Sequence, residues 1–453
     1  MIRVVHVSPT DLQGGACLGA YNLHKAIQAR GVDSRMLVLR KFSDDPSVVP
    51  RNEGMLAKLD ALRDPMDRLP LRSYRWDSSN WWSVGWLPFD LRRAINRLKP
   101  DVVQFHWAGR GAVPIKALSR LSRYPLIWSL RDMWPLTGGC HYAGDCNKFT
   151  SGCGSCPQLG SSSDHDLSRW QWRKKRRYWS GVPITYVALS NWMASCARRS
   201  PLVHGNDIVT IPNGVDVGHF RPFEKAQARA AWGLPLDKQI VLFGALHAVR
   251  DPRKGFQYLA DAMRRLSGEG WAEKAIAVVF GAADGDLDLG MPISYVGHVR
   301  NGDLPRLYAS ADVMVVPSVF ENSAKTAIEA LACGIPVVAF ANTGQVDIVD
   351  HKVNGYLAAD RSVADLARGI AWCLKEVSVG SELATQARAK ALNSFDIDDV
   401  ARIHVELYRK LVAERRLLAE RAGAASWSGA IAQDVFASLH DDQIMGASDR
   451  GAG

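Results

Sequence analysis

Two doubly wound α/β units are predicted for this chain of 453 residues by three observations. Short β-branched runs alternate with amphipathic helical patterns in both halves, the signature of parallel sheets covered by helices. The length exceeds the ~100–200 residues of an ordinary domain. Between the halves, "IPNGVDVGHFRP" clusters Pro, Asn and Gly after the strand "DIVT".

In chain order, "IRVVHVSP" reads as a first strand, and "TDLQGGACLGAYNLHKAIQARG" as a glycine-rich turn opening an amphipathic helix that ends at Gly31. "SRMLVLR" is the next strand. The rhythm then pauses from about Lys41 to Asp90, a stretch rich in Asp, Arg, Pro and Trp that reads as an insertion with some helix. "PDVVQFHW", "PLIWSL" and "ITYVALS" resume the strands. In the second half, "QIVLFGA", "IAVVFGA", "ISYVGH", "DVMVVPS" and "PVVAF" are strands, with "GFQYLADAMRRL", "LPRLYASA" and "AKTAIEALACG" as helices between them. The predicted first domain spans 1–211, with the insertion at about 41–90 and a Cys-rich loop at 138–160. The second spans 212–395. A polar helix at 396–422 is expected to pack back across the domains, and 423–453 to form a loosely ordered tail. Ligands of such sheets bind in the crevice outside the carboxyl ends of the strands, so one cleft between the two domains is expected.

A net charge of +10 points to anionic partners: phosphorylated substrates, nucleic acid or acidic lipid. No stretch approaches the ~20 apolar residues of a membrane span. "MIRVVHVSPT" lacks the apolar run and cleavage site of a signal peptide, so a cytoplasmic protein is expected.

In "SVFENSAKTAIEALACGIP", Glu321 sits in the turn after a buried strand and Glu329 about two turns along the following helix. Free N–H groups at such a helix start form an anion site. A carboxylate there repels phosphate but accepts hydrogen bonds from sugar hydroxyls. The alternative is a helix-capping Glu321 and a solvated Glu329. The longer stretch "YVGHVRNGDLPRLYASADVMVVPSVFENSAKTAIEALACGIPVVAFANTGQVDIVDHKVNGYLA" resembles the donor-binding domain of the retaining GT-B glycosyltransferases of family 4, which carry a Glu-x7-Glu motif. The likeness extends over roughly residues 1–410. It implies the GT-B fold, two Rossmann-like domains facing a central cleft, with Glu321 on the donor sugar and Glu329 on the nucleotide ribose. Asn322, Ser323 and Ala324 would offer backbone N–H groups to the sugar and diphosphate.

A departing pyrophosphate needs positive charge or a metal. In "GALHAVRDPRKGFQYL", Lys254 matches the family's phosphate-binding lysine. Where many members place the arginine, directly after the strand glycine, this chain has Ala245, so Arg250 or Arg253 would substitute from the loop; a solvated basic turn is the alternative. No catalytic metal is implied, and "DGDLD" (284–288) reads as an exposed acidic loop. Gly14 and Gly15 let backbone approach a ligand closely, and in the family the equivalent loop nears the donor diphosphate; "GGACLG" does not fit the G-x-G-x-x-G of nicotinamide binding. His106, at a strand end, matches the family histidine near the reacting sugar, where it would orient a donor hydroxyl or stabilise charge. Arg131 stands where many relatives have His before Asp. It and Asp132 are acceptor-side candidates, for acceptor or phosphate recognition or a buried ion pair.

"CHYAGDCNKFTSGCGSC" places Cys140, Cys146, Cys153 and Cys156 at C-x5-C-x6-C-x2-C. Four thiolates in one loop suit a structural tetrahedral zinc; free thiols in a packed loop are the alternative. "RWQWRKKRRYW", Arg169 to Trp179, interleaves six basic residues with four aromatics. It could rest on an anionic membrane surface or bind a diphosphate-linked lipid acceptor, or it could be a helix with its aromatics in the core. Nucleic acid is disfavoured because no recognised module surrounds it. The resemblance implies that bacterial relatives often extend polysaccharide repeats on lipid carriers, so a peripheral place on the inner face of the membrane is the expectation.

The function expected is transfer of a sugar from a nucleoside diphosphate sugar to a hydroxyl of a glycan or lipid-linked oligosaccharide, with retention, in bacterial exopolysaccharide, capsule or lipopolysaccharide biosynthesis. The rivals are a GT-B nucleotide-sugar epimerase or hydrolase, and a non-catalytic nucleotide-sugar or nucleic-acid binding protein.

Overall fold

Two parallel sheets organise the chain in a computed structural model that describes residues 1–77, 80–109, 111–244, 251–281, 288–418 and 420. The first sheet holds β1 (Arg3–Thr10), β2 (Asp33–Arg40), β3 (Val48–Pro50), β4 (Val102–Phe105), β5 (Leu126–Leu130), β6 (Ile184–Ala188) and β7 (Ile208–Thr210), in the order β3-β2-β1-β4-β5-β6-β7. The second holds β8 (Gln239–Gly244), β9 (Ala275–Phe280), β10 (Ile293–Gly297), β11 (Val313–Val316), β12 (Val337–Phe340) and β13 (Gly355–Ala358), in the order β10-β9-β8-β11-β12-β13. Each order reverses beside its first strand, the switch point at which such sheets open a crevice.

Helices carry the crossovers. In the first half they are α1 (Gly15–Ala29), α2 (Gly54–Ala61), α3 (Arg63–Asp67), α4 (Leu91–Leu98), α5 (Leu167–Trp179) and α6 (Asn191–Arg199). In the second they are α7 (Lys225–Ala230), α8 (Phe256–Gly268), α9 (Leu304–Ser310), α10 (Lys325–Ala332), α11 (Val363–Ser378) and α12 (Leu383–Phe395). Residues Met1–His404 form one compact unit that contains both sheets. The described residues that follow, 405–418 and 420, belong to a second and are helical; the predicted tail lies outside the described residues.

Period-two alternation decides what each sheet face buries. In the second sheet Ile240 and Leu242 enter one apolar cluster while Val241 and Phe243 enter another, so helices cover both faces. The first sheet is less symmetric. Val5 and Val7 join a core with Phe105, Trp128, Trp134 and Trp179, whereas His6 and Ser8 turn to the other face and are equally buried.

Two strands escape the sequence reading. β3 lies inside the stretch read as an insertion and pairs with β2 at the sheet edge, where Pro50 withholds no needed ladder donor. β13 pairs with β12 but is only "GYLA", too short and too glycine-led to stand out.

Candidate active site

The turn between β11 and α10 is built on two close backbone approaches. A Cβ on Gly255 would lie 1.8 Å from the carbonyl oxygen of Pro317, and one on Gly344 would lie 1.7 Å from that of Asn322. Only glycine permits either contact. Gly255 follows Lys254, so the same approach delivers the lysine to the turn. Lys254 Nζ stands 2.5 Å from Glu321 Oε2. Burial pushes the Glu321 carboxyl upward, but Lys254, Arg253 and the Ser323 backbone N–H outweigh it and hold the group below the usual carboxylate range. Glu321 is thus ionised and aimed from the carboxyl edge of the sheet. Its own backbone is pinned by Thr343, whose hydroxyl accepts from Glu321 N–H (3.2 Å), and by Gly344 N–H donating to its carbonyl (2.9 Å).

Asn322 does something its place in the motif does not announce. Its side-chain amide donates to the Leu130 carbonyl at the end of β5 (2.7 Å) and accepts from the Ser190 hydroxyl that caps α6 (2.8 Å). Asp347 adds bonds to the backbone N–H and side-chain amide of Asn191 (2.6 and 3.1 Å). The donor-side turn is therefore fastened to the first sheet. Asn322→Ala should cost about 1–3 kcal/mol, because Leu130 and Ser190 lose buried partners; urea unfolding of the two proteins measures it.

Ser323 and Ala324 lead into α10, with Ala324 at the N-cap and no side-chain cap bond there. Glu329 is buried: it accepts from Tyr308 Oη (2.9 Å) and pairs with Lys325 Nζ (2.9 Å). A ribose reaching it would have to share or displace these partners.

On the first sheet, His106 follows β4 and is 1 % exposed. Arg131 Nε donates to His106 Nδ1 (3.2 Å), which makes Nε2 the protonated nitrogen, donating to His6 Nδ1 (2.9 Å). Both ring nitrogens are engaged, so His106 positions Arg131 and His6 and has no nitrogen spare for a sugar hydroxyl in this arrangement. Burial first, then Arg131 and His6, drive its pKa well down, and the ring is neutral. Arg131 is buried without a carboxylate; burial lowers it to about 10, so it stays charged. Its Nη1 donates to Asn213 Oδ1 (2.9 Å) and lies against Gly19 of α1, where a Cβ would meet it at 2.7 Å. Gly19 and Asn213 were not singled out by sequence. Gly14 and Gly15 open α1 with unobstructed space around them, and Gly14 has φ 83°.

Asp132 turns away from Arg131. Its Oδ2 holds His141 Nδ1, its Oδ1 accepts from Trp134 N–H (2.9 Å), and His141 Nε2 meets Ser83 Oγ (2.8 Å). The connectivity is that of a nucleophilic triad, but Ser83, His141 and Asp132 are all buried, and the set ties the 41–90 stretch to the loop after β5.

That loop reaches the donor turn through Tyr142, another residue sequence reasoning missed. Arg253 lies over its ring (4.6 Å), and the Asn322 backbone N–H meets its hydroxyl. Arg253 is otherwise held by Asp251 (2.6 Å). Arg361 pairs with Asp145 of the same loop (3.1 Å). Tyr142→Ala should raise the donor KM several-fold while Tyr142→Phe keeps the ring contact and changes it less; initial rates against donor concentration separate the two. Arg250 and most of "DGDLD" lie outside the described residues.

Burial raises the thiols of Cys140, Cys153 and Cys156, Cys153 to about 11, and the neighbouring cysteines of the loop push the same way. Among the described residues no group of three His, Cys, Asp or Glu side chains is placed to hold a metal. Gly138 N–H donates to Cys153 Sγ (3.2 Å), and Cys156 is buried.

The basic aromatic stretch is α5, and half of it faces inward. Trp172, Lys175 and Trp179 are buried, with Lys175 Nζ 3.6 Å above the Trp134 ring and bonded to the Thr137 carbonyl (3.0 Å). Burial lowers Lys175 to about 7. Trp170, Arg173, Arg176 and Arg177 remain outward. Among the described residues no helix is long and apolar enough to cross a membrane.

Comparison with known proteins identifies the family and the fold. Residues 13–219 match the model of Glycosyltransferase Family 4, and residues 237–376 that of Glycosyl transferases group 1. The chain is 29% identical over 247 residues to the D-inositol 3-phosphate glycosyltransferase of Mycobacterium bovis, covering 52% of this chain and 51% of that protein. It is 29% identical over 198 residues to an uncharacterized glycosyltransferase of Methanocaldococcus jannaschii, covering 41% and 48%. It spans about half the length of these relatives. Among solved structures, sucrose-phosphate synthase from Thermosynechococcus elongatus superposes with TM-score 0.67 at 19% identity, over 91% of this chain and 100% of that one. Anabaena HepE in complex with UDP-glucose gives 0.59 at 18%, over 90% and 100%. The chain belongs to the GT-B glycosyltransferases, with a family 4 domain in its first half and a group 1 domain in its second.

Proposed function

We propose that the protein moves a sugar from a nucleoside diphosphate sugar to a hydroxyl of a glycan or lipid-linked oligosaccharide, with retention at the anomeric carbon, in assembly of a bacterial surface polysaccharide. The observation that carries this reading is the ionised Glu321 held against Lys254 at the start of α10. A carboxylate there accepts from sugar hydroxyls while Lys254 and the helix start face the diphosphate. UDP-glucose, the molecule in the HepE structure, belongs to the same class of donor.

In the reaction the anomeric C–O bond to the diphosphate breaks and its electron pair leaves on the phosphate oxygen. The acceptor oxygen attacks from the face just vacated, and its proton passes to that phosphate oxygen. Lys254 stabilises the charge that develops on the leaving group, and no residue is asked to form a covalent intermediate. Arg131, charged and carboxylate-free, adds positive potential from the first sheet. With the lysine and the helix start supplying positive charge, the transfer asks for no metal.

A thermal-shift screen against UDP-, GDP-, ADP- and dTDP-sugars tests the donor. One selective stabilisation is expected. Turnover that needs an added glycan acceptor identifies transfer, and donor loss without acceptor identifies a hydrolase.

A further inference from the structure

The stretch from α2 to Leu69 is amphipathic in the reverse sense. Its apolar side chains recur at steps of three or four residues, yet they face outward: Leu56 57%, Leu59 56%, Leu62 52%, Met66 44% and Leu69 41% exposed. Two of its three carboxylates, Asp60 and Asp67, face inward, while Asp64 is half-exposed and pairs with Arg68 (2.8 Å). Asp60 is 3% exposed and accepts from Asn52 Nδ2 (3.1 Å) and from Arg51; Asp67 is 1% exposed and accepts from the backbone N–H groups of Val84 (2.9 Å) and Gly85 (2.8 Å). The helix is thus fastened to the protein by its polar side, which leaves the leucine stripe for something else. A run of five large apolar side chains this exposed is the mark of an interaction surface rather than scattered surface leucines.

The neighbouring surface says what kind. Trp86, itself 37% exposed, donates its indole N–H to the Met66 carbonyl (3.3 Å) and lines a pocket of about 360 Å³. Arg92, Lys116, Arg120 and Lys174 line the same pocket. The one acid among the lining residues, Asp90, is spent capping α4 through Arg93 N–H (3.3 Å). Lys174 also stands 4.5 Å from the ring of Trp170, which is 47% exposed. Through Trp86, which bonds to Met66 and lines the pocket, and Lys174, which lines the pocket and meets Trp170, the leucines, the tryptophans and a basic pocket are joined.

We propose that this face docks on an anionic lipid bilayer, with Leu56, Leu59, Leu62 and Met66 entering the headgroup–acyl boundary and the basic pocket taking a lipid phosphate. Apolar insertion and headgroup charge together give the two signals that interfacial binding requires. The charge complementarity favours lipid over an apolar protein partner, which would gain nothing from the cations. The contact lies mainly in the 41–90 stretch, not in the inward half of α5. It does not depend on the donor reading.

The test is co-sedimentation of the full chain with vesicles of equimolar phosphatidylglycerol and phosphatidylcholine, and with phosphatidylcholine alone. Binding to the anionic vesicles is expected, weakening with salt. The combined Leu56→Ser, Leu59→Ser, Leu62→Ser variant should bind about tenfold or more weakly, with its melting temperature and donor-induced thermal shift unchanged. Lys116→Gln with Lys174→Gln should erase the preference for anionic over neutral vesicles. If the triple variant folds poorly, Leu56→Ser alone and the lysine pair decide the matter. Absence of binding at low salt, or equal binding by the serine variants, overturns the proposal. So does a wild-type dimer that the serine variants dissociate while vesicles go unbound, which would make the occupant a second copy of the chain.

Discussion

Glu321→Gln is expected to lower turnover by about 10²–10³-fold while the protein stays folded. The substitution keeps the shape of the side chain and removes the charge that Lys254 balances at 2.5 Å. On the proposed reading two effects then add: the sugar loses its ionic acceptor, and Lys254 is released from the position that would face the diphosphate. Lys254→Met should be nearly as damaging. Because the two residues act as a unit, the double variant should be far less impaired than the product of the single effects. Steady-state rates at saturating donor, alongside melting temperatures, check both statements. Near-normal turnover of Glu321→Gln would remove this carboxylate from the chemistry.

Acid should unfold the protein over a narrow window. His6, His24, His106 and His404 are all buried and neutral, burial being the main cause in each; His24 and His404 are lowered to about 4 and the other two well below 6.5. Their folded pKa values lie below the unfolded one, so the unfolded chain binds more protons as pH falls through 6.5. Stability is fully present above 6.5 and is lost progressively below it. Each such histidine contributes a slope of at most about 1.4 kcal/mol per pH unit, hence up to ~5.6 kcal/mol per unit for the four. Against a total of about 5–15 kcal/mol, most stability is gone within roughly two units. Urea midpoints measured from pH 7.5 to 5 should fall steeply, in a range where few carboxylates titrate. His24→Gln, between Ser34 and Ser47, should flatten the slope by one group's share. A level profile to pH 5 would contradict the neutral assignment.

The strands that sequence reveals are those whose side chains are buried on both faces, such as "DVMVVPS" and "PVVAF", because burial forces an unbroken β-branched run. β3 and β13 fail that test: three or four residues, one ended by proline and one begun by glycine, carry too little pattern. The site divides in the same way. Glu321 and Lys254 are visible as residues because charge in a turn is conspicuous, but their mutual pairing is a fact of tertiary approach across Gly255. Asn322 reads as a backbone donor, yet its side chain acts between sheets, a distance of 192 residues in sequence to Leu130. Tyr142 is hidden among cysteines that draw attention to a metal. His106 is visible as a strand-end histidine, while the saturation of both its nitrogens depends on His6 and Arg131 arriving from other strands. Leu56, Leu59 and Leu62 show a helical stripe that any burial rule would turn inward; Asp60 and Asp67 find their partners on the protein and reverse it.

The fastening of Asn322 to Leu130 and Ser190 has a thermodynamic corollary. The residue beside it, Glu321, is the one on which the proposed donor reading rests; if the donor binds there and the joint opens and closes, occupancy and closure share one free energy. Whatever factor closure adds to donor affinity, donor binding must return to closure. On that reading, Asn322→Ala should change how fast product leaves as well as how firmly the chain holds together.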